Sequence, residues 1–562
     1  MSDFLAGAGV VIAAAASATA ILLPPGRPRS AAMLLAIALF PTLILGDQWH
    51  THQIADLRHD TGRVVALLAV GAVFVGALAY AFRRWPVALP LAIVFALPFR
   101  VPLHAGGDTA NLLVPLYLVI AGGVVATALR DWNRGTAAAG AGGRAGTDPA
   151  VGGIGGGVLR TPPPASSPPP MTGPAARAAR WLPRLLATFV VLYALQSLYS
   201  EDFSKALQNT CFFLVPFTVA YALLRDVAWN RRLLTWTLGL VALEAVLFVL
   251  IGSVEYASRS LFWNDQVIRS NEFHTYFRVN SVFWDPNVYG RYLALVLVVV
   301  TAALLWVKER RAFWVLTATI AILWLGLAQT FSQSSFIALL AGLATLAALR
   351  WSWRWTLGAV LVGLVGAVLV VTLVGGSGKV NFSRLNIDTS GRANLVQGGL
   401  DLFAERPLQG YGSGSFQAAY REHRENKDVP VSVSHTEPVT IAAEQGVLGL
   451  VTYGALLVCA LWTMTAGITS SRAESDGSAS AVGGTGGGVL RTPSPASSPP
   501  PVTGPAAPNL PSLPARAAVL AAFVALLVHT MSYAGFFEDP IAWVLLAVGA
   551  SLAAAPAVRD AT

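Results

Sequence analysis

The feature that most limits this chain is the recurrence, from one end to the other, of runs of about 18 or more apolar residues. Such a run crosses the hydrocarbon core of a bilayer as one helix, because a helix satisfies all its backbone groups internally. Composition agrees: 55% of the residues are hydrophobic and 12% charged, against roughly a quarter charged in a soluble domain. A spanning β-barrel needs short strands of alternating polarity, and none are seen. The expected fold class is an all-α polytopic membrane protein of about 12–15 transmembrane helices. The apolar runs lie near 4–23, 31–46, 64–82, 86–98, 110–129, 181–199, 206–224, 233–252, 288–307, 312–330, 334–349, 356–375, 436–464, 517–533 and 540–556. The first run lacks a basic leader and reads as a retained helix rather than a cleavable signal.

One stretch, from Gly375 to Thr440, is incompatible with hydrocarbon. It gathers Arg384, Arg392, Arg406, Arg421, Arg424, His423 and His435 around a Gly-rich turn. Short-loop cations fix its side. Arg27/Arg29, Arg83/Arg84, Arg225/Arg231/Arg232, Lys308/Arg310/Arg311 and Arg350/Arg354 share one face if helices alternate, and that face is cytoplasmic. Stretches 47–63, 99–109, 253–287 and 376–435 then face outward. Of the 8 histidines, those at 50, 52, 59, 104, 274, 423 and 435 fall in outer stretches and His529 near an outer helix end. The net charge of +9 sits mostly in orienting loops and gives no argument for nucleic acid. Cys211 and Cys459 lie inside apolar runs, which excludes a disulfide framework and a cysteine metal site.

Residues 151–176 and 482–507 are nearly identical Gly/Pro-rich segments that cannot bury a core. They read as disordered linkers on the cytoplasmic face, with a proline-rich docking site as the alternative. The expected organisation is N-terminal transmembrane helices over 1–130, a linker over 131–180 and a catalytic core over 181–465 with outer loops 253–287 and 376–435. A second linker over 466–516 and a C-terminal transmembrane hairpin over 517–562 complete it.

Several motifs could carry chemistry. Arg278 precedes Trp284-Asp285-Pro286-Asn287, a helix-start signal. It reads either as an interfacial helix entry or as an arginine placed to bind lipid phosphates bidentately. Phe331-Ser-Gln-Ser-Ser335 joins two helices, most simply as a polar hairpin. Ser390-Gly-Arg392 precedes an amphipathic run from Ala393 to Phe403. Glu405-Arg-Pro-Leu-Gln-Gly-Tyr-Gly-Ser-Gly-Ser-Phe416 is glycine-rich, so its backbone can turn tightly and offer N–H groups to an anion. His435 precedes a helix carrying Glu437 and Glu444. It is either a helix cap or a base able to take a proton from a hydroxyl near neutral pH. Glu444 lies within the apolar run and should face the bundle interior. Glu244 has no sequence partner and reads as structural.

Taken in order, these pieces resemble the O-antigen ligase and polymerase superfamily of bacterial envelope proteins over about residues 190–465. They are Arg278 with Phe283 and Pro286-Asn287, the serine patch, Ser390-Gly-Arg392, the Arg406-to-Gly414 turn, and His435 followed by Glu444-Gln-Gly-Val-Leu-Gly-Leu450. The chain departs from the family in having Thr436 where Asn is common after the histidine. It also has Gln333 or Ser334 near a place where arginine often stands. The resemblance implies a GT-C-like, metal-independent, inverting glycan transferase without a cofactor, in the bacterial cytoplasmic membrane with its active face outside. Its donor would be a polyprenyl-pyrophosphate-linked glycan, and its acceptor a hydroxyl on a lipid, glycan or protein. His435 would be the base. Arg278 and Arg392, supported by Arg384 or Arg406, would hold the pyrophosphate. Glu437, Glu444, Asn287, Gly410 and Gly412 would support them, with Glu437 orienting His435. A repeat-unit polymerase shares this chemistry. A flippase should show helix repeats, and a metal enzyme using Asp285 and Glu437 should show clustered carboxylates; neither is seen.

Overall fold

The computed structural model describes residues 3–48, 60–105, 108–142, 174–273, 276–362, 392–423, 434–482 and 513–554. Among them, 12 helices are long and apolar enough to cross a membrane, which bears out the all-α polytopic class. Arg384, His50, His52, His59 and His274 lie outside the described residues, as do nearly all of both Gly/Pro-rich segments.

The first helices are α1 (Asp3–Leu22), α2 (Arg27–Asp47) and α3 (Thr61–Arg84). Next comes α4 (Ala88–Ala96), shorter than the apolar run around it. Nine residues rise only about 14 Å, roughly half a bilayer core. Pro98 stands just beyond its end, and the residue before a proline disfavours helix. The chain continues as an antiparallel hairpin, β1 (Val101–Ala105) with β2 (Asp108–Leu112), Val101 opposite Leu112. The sequence reading has 99–109 as an outer stretch and 110–112 as the start of an apolar helical run, so the hairpin corrects both.

Then follow α5 (Val114–Gly142) and α6 (Pro174–Gln196). The run expected as one helix over 206–224 is three pieces: α7 (Phe203–Asn209), a π-turn (Thr210–Leu214) and α8 (Val215–Arg225). It starts early because Asp202 Oδ1 accepts the Lys205 amide at 3.0 Å. The break has a cause in Pro216, which has no N–H to give the carbonyl of Phe212; that carbonyl takes the Tyr117 hydroxyl at 2.8 Å instead.

The remaining helices are α9 (Arg231–Ser258), α10 (Asp265–Phe273), α11 (Pro286–Trp306), α12 (Arg310–Thr330), α13 (Gln333–Arg350), α14 (Arg392–Glu405), α15 (Phe416–Glu422), α16 (Glu437–Val482), α17 (Leu513–Thr530) and α18 (Pro540–Ala554). One continuous apolar core runs from Ala6 to Leu552, so the first helices and the last hairpin pack into the same body. Arg29 pairs with Asp226 and the Ala222 carbonyl, tying α2 to α8 near the basic helix ends. The opposite ends carry the β-hairpin, residues 259–273, 276–285, 331–332, 392–423, 434–436 and 531–539, and the candidates Arg278, Arg392, Arg406, Gly410, Gly412 and His435 lie there.

Candidate active site

Arg278 sits in the connection from α10 to α11. Its backbone N–H and C=O both pair with the Asn271 side chain at 3.0 Å. Its guanidinium is splinted between two helix ends: Nε donates to the Thr330 carbonyl and Nη2 to Asn287 Oδ1, each at 2.9 Å. Asn287 is itself fixed by Asp285, whose Oδ1 caps its amide at 2.6 Å. Glu255 holds the same connection by accepting the Asn280 and Ser281 amides at 3.3 and 2.7 Å. A donor group placed this firmly is preorganised for a fixed anion.

His435 stands immediately before α16 with φ 61, a conformation that costs an L-residue energy and concentrates at functional positions. Ser434 behind it is buried, its hydroxyl 2.8 Å from both the Thr436 carbonyl and Thr440 Oγ1. The His435 ring faces Tyr533, centroids 6.2 Å apart. Burial pushes its pKa below the usual 6.5 and the nearby Arg392 pushes the same way, while Asp285 opposes them. His435 is therefore a neutral base at neutral pH. Arg392, the first residue of α14, acts electrostatically on Arg278 as well. Arg392 is thus within electrostatic reach of both Arg278 and His435, and Asp285 of both and of Tyr533.

Beneath them lies a charged layer that the sequence reading did not single out. Arg291, in the second turn of α11, pairs with Asp539 at 2.8 Å, their side chains 5% and 3% exposed. Its Nε and Nη1 have no partner. Arg100, after α4, is within electrostatic reach of Asp539, Arg291 and Tyr533. His529 at the end of α17 is fully buried, and its ring stands 5.8 Å from that of Tyr533. Its Nε2 lies 3.3 and 3.4 Å from the Ser334 and Ser335 hydroxyls, so the serine patch is an inward-facing polar floor rather than only a hairpin. Gly290 lets that floor approach α11: a Cβ there would lie 2.6 Å from Ser335 Oγ. One signal could have found Arg291, since a charge inside a spanning run is expensive and normally serves a purpose.

Other candidates have different work. Glu437 Oε2 accepts the Gly535 and Phe536 amides at 2.6 and 3.1 Å, so it fastens the turn before α18 instead of orienting His435. Glu444 does face the interior, where it accepts the Gly414 and Phe416 amides at 2.9 and 3.2 Å. The Gly412 amide goes to the Glu444 carbonyl at 2.8 Å and that of Gly410 to the Arg406 carbonyl at 2.9 Å. The Gly-rich turn therefore spends its donors on the protein and not on an anion. Its glycines are needed for close approach: Gly410 and Gly412 have φ +67 and +94, and a Cβ at Gly412 would lie 2.3 Å from Ser200 Cα. The turn docks at Gly446, where α16 kinks (φ 64, ψ −159) and frees the Val447 amide for the Pro407 carbonyl at 2.8 Å. Arg406 pairs with Glu201 at 2.9 Å and stacks 4.0 Å over the Tyr411 ring, which engages it away from the Arg278 group. Among the described residues no three His, Cys, Asp or Glu side chains converge as metal ligands.

No curated protein matches the chain. Residues 318–454 match the family model described as O-antigen ligase. That segment holds the serine patch, Arg392, the Gly-rich turn, His435 and Glu444, while Arg278, Arg291 and the α17–α18 turn lie outside it. The chain is a multi-pass membrane protein whose residues 318–454 are similar to the O-antigen ligase family, and the expected resemblance to the O-antigen ligase and polymerase superfamily is borne out over that segment.

Proposed function

We propose that this protein transfers a glycan from a polyprenyl-pyrophosphate carrier to a hydroxyl of a lipid, glycan or protein acceptor, at the outer surface of a bacterial cytoplasmic membrane. One observation carries the reading: a surplus of part-buried positive charge beside a neutral imidazole. Among the described residues Arg278, Arg392, Arg100 and Arg291 stand with Asp285 and Asp539, and Glu437, also within reach of Arg291, is engaged by the Gly535 and Phe536 amides, so the cations outnumber the carboxylates. A diphosphate diester, with one negative charge on each phosphate, is the kind of anion such a surplus draws. Guanidinium pairs bind phosphate oxygens with directional, charge-assisted bonds, and buried charge demands compensation.

The chemistry follows. His435 removes the proton from the acceptor hydroxyl as its oxygen attacks the anomeric carbon. The bond from that carbon to the phosphate oxygen breaks, and the electron pair leaves on the lipid pyrophosphate. The arginines stabilise this charge in place of a metal or an acid. The proton on His435 then passes to water. Attack opposite the leaving group inverts the anomeric centre.

An apolar groove of about 1340 Å³, counted to its open side, runs between α9, α11, α17 and α18. Leu97, Tyr292 and Ile541 line it, each within three residues of Arg100, Arg291 or Asp539. It suits a polyprenyl tail hanging below its pyrophosphate. The basic helix ends on the opposite face support an outer location for this site by the positive-inside rule. Under this reading the catalytic core of 181–465 is completed by the 517–562 hairpin, which brings His529, Tyr533 and Asp539.

The test is transfer from a polyprenyl-pyrophosphate glycan in membranes containing EDTA. Transfer should persist in EDTA and fall about 10²–10⁴-fold in His435→Ala, the usual worth of a general base, with a comparable loss in Arg392→Ala. Undiminished transfer in both variants rejects the roles.

A further inference from the structure

Beside the proposed donor site lies a second, differently charged cleft. It runs along the face of α16 that carries Glu437, Thr440, Ile441, Glu444 and Gln445, one helical stripe by spacing. Opposite are α6, α7, the Gly-rich turn and residues 534–538, and the cleft measures about 690 Å³ to its open mouth. Its edge begins at Ala534, next to Tyr533, whose ring faces His435 at 6.2 Å.

Two features of the wall ask for a ligand. Gln445 is 1% exposed and its Oε1 has no partner, as is true of Asn209 Oδ1. Asn209 uses its amide N–H on the Tyr193 hydroxyl at 3.0 Å, so its oxygen is left over. A buried amide oxygen without a donor is costly, and both residues border the cleft. They accept hydrogen bonds and cannot serve an anion. Lys205, Gln417 and Glu538 add a donor, an amide and a carboxylate around them. Phe189 and Phe537, stacked at 3.9 Å, also border it and offer an apolar face.

We infer that this cleft binds the acceptor as a hydroxyl-rich, uncharged sugar. Its hydroxyls would donate to Asn209 Oδ1 and Gln445 Oε1, and its ring face would meet the phenylalanines. The inference rests on the transferase reading and adds what that reading lacks, a place for the acceptor. The two sites divide the substrates by charge. Arginines draw the diphosphate, whereas the carboxylates of Glu437, Glu444 and Glu538 along this wall oppose it. A sugar seated here presents its free hydroxyl toward Tyr533 and His435.

The experiment uses the full chain in vesicles, fused with graded amounts of membranes containing the endogenous acceptor, and follows labelled glycan from the lipid-linked donor. Gln445→Leu and Asn209→Leu each remove an acceptor atom, and Gln417→Ala trims a half-buried wall position with little threat to folding. Each should raise the apparent KM for acceptor about tenfold, the worth of one hydrogen bond, with donor KM within twofold. Melting temperature checks folding. Transfer with acceptor KM unmoved in Gln417→Ala and in any folded Gln445 or Asn209 variant overturns this cleft and leaves the transferase standing. A shift in donor KM instead overturns it too. A parent protein with no transfer removes both.

Discussion

The Arg291–Asp539 pair offers the sharpest separation of strut from tool. Both side chains are almost wholly buried, 5% and 3% exposed, and Arg291 keeps two nitrogens, Nε and Nη1, unpartnered. Removing one member, as in Asp539→Leu, strands a buried guanidinium and should cost about 3–5 kcal/mol. Replacing both with apolar residues, Arg291→Met with Asp539→Leu, removes the stranded charge and should recover most of that stability. If Arg291 binds pyrophosphate, the stable double variant still lacks two charge-assisted donors. At about 1.5 kcal/mol each, they amount to about 3 kcal/mol, somewhat over 10²-fold in donor affinity or rate. The assay pairs thermal unfolding in detergent with transfer by the same preparation. The prediction is a low melting temperature for the single variant, and a recovered one with transfer down about 10²-fold for the double. A double variant that melts normally and transfers normally would reduce Arg291 to packing and refute the four-arginine site.

Two further outcomes follow from the same geometry. His435 must be neutral to act, so transfer should rise with pH through a pKa held below 6.5 by burial and Arg392. Arg392→Gln removes one depressing influence, so the acid limb of its residual activity should move to higher pH; an unmoved or lowered limb separates the two residues. Gly412→Ala places a Cβ 2.3 Å from Ser200 Cα at φ +94, which should push the turn off the connection between α6 and α7 and cost about 1–3 kcal/mol or more, read as a lower melting temperature.

Much of the architecture was legible in the apolar runs, because a bilayer imposes length and hydrophobicity on each span. The 312–330 and 334–349 runs match α12 and α13 to within two residues. What was missed depended on partners elsewhere in the chain. Pro216 signalled a break, but only Tyr117 shows how it is tolerated. The short hairpin had a sequence sign in Gly106-Gly107 between apolar-containing runs, and the loop reading passed over it. In the site, Arg278 and His435 stood out because they border polar stretches, whereas Arg291 was hidden inside an apolar run. Glu437 was placed beside His435 by two residues of spacing, yet a helix start points its side chain elsewhere, to the 535–536 amides. The Gly-rich turn looked like an anion cradle because its pattern does not reveal that Glu444 already fills it.

The most direct measurement of the central claim is an experimental structure of the full chain with a polyprenyl-pyrophosphate glycan bound. The account predicts both phosphates within hydrogen-bonding distance of the Arg278 and Arg392 guanidinium groups, the lipid in the groove past Tyr292, and the anomeric carbon on the His435 side. A pyrophosphate resting against the basic helix ends of the opposite face, or out of reach of both arginines, would contradict it.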